Sequence, residues 1–144
     1  MTARSKHFLV IAAVLLASPW AIGCAGSPQR VNDVQQVSLR LQGSWVLKGY
    51  RPNVGLETPL AAMLALQVGQ LHIQIDGTQL NAQGPGLQVT RTYQILEVVD
   101  QTATLAVTEP TGDSERVWIE FRDNLLTFRP MDAPWSGVGT LQRL

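Results

Sequence analysis

The chain has 144 residues, and its eleven basic and eleven acidic residues leave no net charge at pH 7. That balance excludes the basic footprint of a nucleic-acid-binding protein. With a single cysteine, Cys24, no disulfide can form within the chain, so its fold must be stabilised by packing alone.

Residues 1–23 have the organisation of a secretory signal peptide. Arg4 and Lys6 give a positive start, and about ten apolar residues follow from Phe8 to Ala17, too few to span a membrane. We expect this segment to be removed. Because both leading basic residues go with it, nine basic residues remain against eleven acidic ones, without a polybasic patch for anionic lipid.

The collar Ala21-Ile22-Gly23-Cys24 resembles the lipobox of bacterial lipoproteins, although Ala21 stands where that family usually has Leu. In the family, signal peptidase II cuts before a cysteine whose sulfur carries a diacylglycerol. The resemblance implies that Cys24 is the lipid attachment site and the mature N-terminus. Ala25, where an Asp would retain a proteobacterial lipoprotein on the inner membrane, implies an outer-membrane anchor facing the periplasm of a Gram-negative cell. The alternative is an ordinary signal peptide followed by a free thiol, which exported proteins usually avoid.

The remaining roughly 120 residues suffice for one hydrophobic core and are too few for two ordinary domains. Residues 25–38 mix small, polar and proline residues without a sustained apolar period. We therefore assign residues 24–40 to a lipid-anchored tether, with a short helix at its end as an option, and residues 41–144 to a single domain.

The domain begins with the pattern of a strand, a helix and a hairpin. Aromatic and branched residues favour a strand at residues 43–50. After a loop at residues 51–57, Thr58-Pro59 supplies an N-cap and a first-turn proline for a helix of about two turns. Alternating apolar residues predict a strand at residues 71–76, and Asp76-Gly77 is a two-residue hairpin signal.

The rest of the chain predicts short strands at spacings near twelve residues. They fall at residues 78–82, 87–99, 102–108, 116–122, 125–129 and 137–144. The apolar phase slips between Ile95 and Val98, which indicates a β-bulge. A sandwich and a barrel both fit this spacing, but a chain without disulfides favours closure, which removes exposed edges. We predict an all-β fold, a small antiparallel up-and-down barrel of about eight strands with one short helix after the first strand.

Gly43-Ser44-Trp45 at the start of the first strand, with Arg143 at the end of the last, resembles the lipocalin pattern. In lipocalins and other calycins, the tryptophan of a Gly-x-Trp motif lies across the closed end of the barrel and packs against an arginine near the C-terminus. The resemblance implies that Trp45 and Arg143 form this structural pair, an indole face against a guanidinium. The chain is shorter than a lipocalin and lacks the C-terminal helix of that family, so the implied fold is calycin-like.

Catalytic and metal-binding patterns find little support. His72 is the single histidine after the leader, and it has no serine neighbour or nucleophile elbow. A zinc site needs three or four converging ligands, and the acids are scattered along the chain. We expect neither an enzyme nor a metal or other cofactor.

Two functions follow. The leading hypothesis is a non-enzymatic, outer-membrane-anchored lipoprotein that binds a small apolar or amphipathic ligand in its lumen or acts as an envelope scaffold. The alternative is a periplasmic interaction or inhibitor module that presents the loops at residues 51–57 and 130–135 to a protein partner. An interior filled by Trp45, Phe121 and Phe128 favours the alternative.

Four residues are candidate contacts for a ligand or partner: Trp118, Trp135, Tyr93 and His72. For Trp118 two other positions remain open: the outer barrel surface beneath Arg116 and Arg122, or the core.

Overall fold

The computed structural model describes residues 28–53, 55, 58–132 and 137–144. In chain order the elements are α1 (Pro28–Leu41), β1 (Gly43–Pro52), α2 (Thr58–Gln67), β2 (His72–Asp76), β3 (Gln79–Gly84), β4 (Leu87–Val99), β5 (Thr102–Thr108), β6 (Ser114–Arg122), β7 (Leu125–Pro130) and β8 (Gly137–Arg143). Cys24, Trp135 and parts of both predicted partner-binding loops lie outside the described residues.

The eight strands form one closed barrel. Each strand pairs antiparallel with its neighbour in the chain, and β8 pairs with β1 to close the sheet. The predicted fold class, an up-and-down barrel with one short helix after the first strand, is confirmed. Closure pairs both edges of the sheet, which suits a chain that has no disulfide to stabilise it.

Two β-bulges shape the sheet. The register between β4 and β5 shifts between Ile95 and Glu97, where the apolar phase predicted a bulge. A second shift lies in β1 between Leu47 and Gly49, opposite β8. This bulge was not predicted, because Trp45, Val46 and Leu47 are all apolar and all buried, so the sequence shows no alternation there from which a slip could be read.

Three hairpin turns and α1 lie at one end of the barrel, called here the closed end. Each turn has two central residues, Gly77-Thr78, Asp100-Gln101 and Asp123-Asn124. The first of each pair has positive φ. The β2–β3 turn therefore lies one residue later than the predicted Asp76-Gly77, because Asp76 pairs with Gln79 as the last position of the ladder.

Helix α1 differs from the predicted tether. Val37 and Leu41 lie four residues apart on one helix face and are both buried in the core. The guanidinium of Arg40, in the last turn, lies 4.2 Å from the centroid of the Phe121 ring, and its Nη1 donates to Gln101 Oε1 at 2.7 Å. The folded unit thus includes residues whose composition alone is typical of a linker.

The inward faces of the strands form a continuous apolar core. Its buried members are Val37, Leu41, Trp45, Leu47, Ile75, Tyr93, Ala103, Leu105, Val107, Ile119, Phe121, Leu126 and Leu141. Tyr50 and Phe128 continue the filling toward the opposite end, called here the open end, with ring centroids 6.5 Å apart. A Cβ at Gly139 would clash with the Phe128 ring, so glycine leaves space for that ring inside the barrel.

Candidate functional site

The predicted pair of Trp45 and Arg143 lies on the seam between β1 and β8. The two residues are directly opposite each other, and the guanidinium is 5.4 Å from the centroid of the indole. Trp45 is 2% exposed, and its Nε1 donates to the carbonyl oxygen of Leu41 at 2.9 Å. Arg143 donates to the carbonyl oxygen of Gln42 at 2.6 Å. Together they join α1 to both sides of the seam.

Gly43 is required at this junction. Its φ of +110° is rarely adopted by residues with a side chain. A Cβ there would lie at an ordinary contact distance, 3.4 Å from Nη2 of Arg143, so the backbone conformation alone favours glycine.

Tyr93, a candidate ligand contact, is tied into the closed end. It is buried, its hydroxyl donates to the carbonyl oxygen of Gly77 at 2.9 Å, and it accepts from Nε2 of Gln42 at 3.2 Å. Gln42 Oε1 in turn accepts from the backbone N–H of Gly77 at 2.7 Å. The sequence did not single out Gln42, because its partners are brought to it only by the closed sheet.

His72 is exposed on the outer face of β2, between Val46 of β1 and Gln83 of β3. Within the described part of the chain, no three histidine, cysteine or acidic side chains converge as a metal site requires.

Trp118 lies on the outer surface of the barrel, one of the two other positions considered for it. It is half-buried, and Arg129, its partner on β7, has its guanidinium 5.3 Å from the centroid of the ring. Arg116 and Arg122, expected above the indole, instead form ion pairs with Asp132 and Glu120. Arg129, the cross-strand neighbour, therefore lies against the indole where Arg116 and Arg122 were expected.

A polar cluster lies at the open-end half of the lumen. Arg91 occupies the same inward phase of β4 as Tyr93 and Ile95, and its side chain lies between two carboxylates. Its Nη1 donates to Glu115 Oε1 at 2.8 Å, and its Nη2 pairs with Glu109. This cluster was missed, although one signal was present: an arginine stands at an apolar position of an otherwise alternating strand.

Three buried polar atoms in this half of the barrel have no hydrogen-bond partner among the described residues. They are the hydroxyl of Tyr50, Oε1 of Gln67 and Nε of Arg91. Gln67 is only 4% exposed. Its Nε2 donates to the carbonyl oxygen of Pro85 at 3.0 Å, so only the oxygen of its side-chain amide is without a partner among the described residues. Burial raises the pKa of the Tyr50 phenol above its ordinary value, so this group stays neutral and can both donate and accept.

At the open end, the ion pair of Arg116 with Asp132 is the best-aligned on the outer surface. Both guanidinium nitrogens Nε and Nη2 donate to the carboxylate, at 2.9 and 2.8 Å, and the backbone N–H of Arg116 adds a third bond. These bonds, the side-chain ones first, lower the pKa of Asp132 to about 2.

We therefore expect the Asp132 carboxyl to titrate near pH 2 in the folded protein, measured by carbon-detected NMR. Since a free aspartate titrates at about 3.9, the pair contributes its stability above that pH and loses it as the pH falls through about 2. Arg116→Ala should return the midpoint toward its ordinary value, whereas Arg122→Ala should not move it. A midpoint near 3.9 in the unmodified protein contradicts this assignment.

Helix α2 presents apolar side chains to solvent at the open end. Its ten residues include no charged side chain, and Met63 and Leu66 are 51% and 59% exposed. Val68 follows in the next turn and is also exposed. A helix that is apolar all round is normally buried, so this surface is typical of an element that has a partner.

Within the described residues, neither helix has the length and apolar character needed to cross a bilayer. No protein-family model, curated protein or solved structure matches the chain. The site must therefore be interpreted from its own residues: a closed barrel with an apolar core and a polar cluster in its open-end half, a structural pair at its seam, and an uncharged helix at its open end.

Proposed function

We propose that this protein is a non-enzymatic lipoprotein, anchored to the outer membrane through Cys24 and facing the periplasm, whose barrel serves as a protein-interaction module. The open end, with α2 and the loops beside it, is the contact surface. The partner is an envelope protein with an apolar groove that accepts a short helix.

The exposed face of α2 carries this proposal. Met63, Leu66 and Val68 are exposed on or just after a helix that has no charged side chain of its own. Apolar side chains laid into a groove are a recurrent mode of helix recognition. Because α2 offers no charge to pair, the matching surface must itself be apolar and largely uncharged.

The filled interior supports the same proposal. Trp45 and Phe121 are buried in the core, and Phe128 packs against it. Two cavities lined by described residues, of about 110 and 390 Å³, lie on the outer surface of the sheet. An interior of this kind favours a rigid platform for surface contacts over a deep apolar pocket.

The location rests on the sequence alone. The lipobox resemblance at Cys24 and the small residue Ala25 support an anchor in the outer membrane. With acyl chains as its membrane device, the barrel is held at the periplasmic face without spanning the bilayer.

A matched pair of leucine variants tests the contact surface. Leu66 of α2 and Leu39 of α1 are both helical and similarly exposed, at 59% and 64%. Leu66→Glu should lower the recovery of a cross-linked envelope partner by at least about tenfold, since it places a charge in an apolar contact. Leu39→Glu should leave recovery unchanged, and neither variant should alter the melting temperature. Equal recovery with both variants contradicts the proposal.

A small amphipathic ligand in the open-end half of the lumen is the second candidate. The unpartnered atoms of Tyr50, Gln67 and Arg91 favour it, because a buried polar atom costs about 1–3 kcal/mol unless something pairs with it. Organic extraction of the same purified protein, followed by mass spectrometry, separates the two functions. A stoichiometric extracted molecule with no cross-linked partner favours the ligand; the reverse favours the interaction module.

A further inference from the structure

A trough runs along the outer face of β5, away from the open end and from the surface proposed above. The outward residues of β5 are small, namely Thr102, Thr104, Ala106 and Thr108. The strands on either side carry larger outward side chains and lie about 10 Å apart, twice the spacing of adjacent strands. The β5 trough, as we call it, has a volume of about 110 Å³ and is lined by Glu97, Val99, Thr102, Ala103, Thr104 and Trp118.

Four different side chains form one straight row across the trough. Glu97 of β4 pairs with Thr104 of β5, Thr104 with Trp118 of β6, and Trp118 with Arg129 of β7. A carboxylate, a hydroxyl and an indole thus stand side by side on a rigid sheet. Such a surface has an apolar wall on one side and hydrogen-bonding groups on the other.

The polar groups of the trough have unused hydrogen-bonding capacity. The Thr102 hydroxyl donates to the carbonyl oxygen of Val99 at 2.8 Å, which leaves its oxygen able to accept. Glu97 is exposed and forms no ion pair with any of the described residues, so its carboxylate can accept strong, charge-assisted bonds. The trough therefore favours a ligand that brings several donors.

The position of Arg129 disfavours a cationic ligand in the trough. Its guanidinium already lies 5.3 Å from the centroid of the Trp118 ring, so a second positive charge at the same indole would be repelled. A neutral ligand avoids that repulsion. A hexose ring in its pyranose form has a flat C–H face for the indole and a rim of hydroxyl donors for Glu97 and the threonines.

We propose that the β5 trough binds one pyranose unit of a neutral glycan. Trp118 stacks against the C–H face of the sugar, Glu97 accepts from two ring hydroxyls, and Thr104 and Thr102 bond the remaining rim. The site is independent of helix α2, so the two surfaces can serve the same protein at once.

Saturation-transfer NMR on the full protein tests this site with three neutral probes: maltotriose, cellotriose and N,N′,N″-triacetylchitotriose. At least one should receive saturation on the axial protons of a single sugar face and bind with a dissociation constant in the millimolar range or below. Trp118→Ala should weaken binding at least about tenfold. Glu97→Gln and Thr104→Val, which replace outward side chains with ones of similar size, should each weaken it several-fold while leaving the melting temperature unchanged.

Gln88→Ala, an exposed substitution on β4 near the open end, is the matched control and should bind as the unmodified protein does. If none of the three probes receives saturation, or if Glu97→Gln and Thr104→Val bind as well as the control, the trough is only the outer packing of Trp118 and the proposal is overturned. Binding of trilysine at the trough in place of the sugars also overturns it. Should Trp118→Ala fail to fold, the two conservative variants decide the outcome.

Discussion

Trp45→Ala is expected to lower the free energy of unfolding by about 3–5 kcal/mol, the usual cost of truncating a buried tryptophan. The indole is 2% exposed, donates to Leu41 and lies beneath Arg143, so its loss opens a cavity and leaves the carbonyl oxygen of Leu41 unpaired. For a domain whose total stability is about 5–15 kcal/mol, that is a large fraction. Urea denaturation followed by circular dichroism measures the change.

Two further variants separate the loss of the hydrogen bond to Leu41 from the loss of buried aromatic area. Trp45→Phe keeps an aromatic ring but removes the N–H donor to Leu41, so it should cost less than Trp45→Ala. Trp118→Ala removes the same type of side chain from the half-buried outer surface and should cost less than half as much. A melting temperature for Trp45→Ala equal to that of the unmodified protein would contradict both its role at the seam and the calycin-like resemblance.

Cys24→Ser is expected to abolish acylation and membrane attachment while the barrel still folds. A hydroxyl cannot replace the thiol as acceptor of the diacylglycerol, and Cys24 precedes α1, the first element that the structure describes. Labelling with a radioactive fatty acid and partitioning between detergent and aqueous phases measure the loss. The circular dichroism spectrum should stay that of a β-barrel.

Ala25→Asp provides the matched control beside the anchor. It should keep acyl labelling but move the protein to the inner-membrane fraction, since the lipobox resemblance implies that Asp at this position retains lipoproteins there. Unchanged membrane partitioning of Cys24→Ser would count against the lipobox and favour an ordinary signal peptide.

Most of the barrel was predictable because its strands follow the alternation of a half-buried sheet. Strands β4 and β5 begin and end at the predicted residues, and the bulge at Ile95 lies where the apolar phase slips. Alternation records which face of each strand is buried, and that is what a barrel requires. Alternation has a period of two and does not report a helix such as α1, whose buried Val37 and Leu41 lie four residues apart.

The site residues were harder to predict because their partners come from distant parts of the chain. Tyr93 is an aromatic residue with a hydroxyl, a type that often contacts ligands, but its hydroxyl accepts a hydrogen bond from Gln42, 51 residues earlier. The surroundings of Trp118 depend on strand register. The register of β6 with β7 places Arg129, rather than Arg116, beside the indole. Sequence spacing sets which side chains share a strand face, whereas register sets which of them meet across strands.

The seam between β1 and β8 has a consequence for how the barrel folds. Six of the other strand pairs join neighbours in the chain through a turn or a short connection and can form locally, and β1 and β2 are joined through α2. The seam instead brings together Gln42 and Arg143, 101 residues apart, and bears the largest loop-closure entropy in the molecule. We therefore expect this seam to close late in folding, and the contact of Trp45 with Arg143 to form only when the curled sheet becomes a barrel.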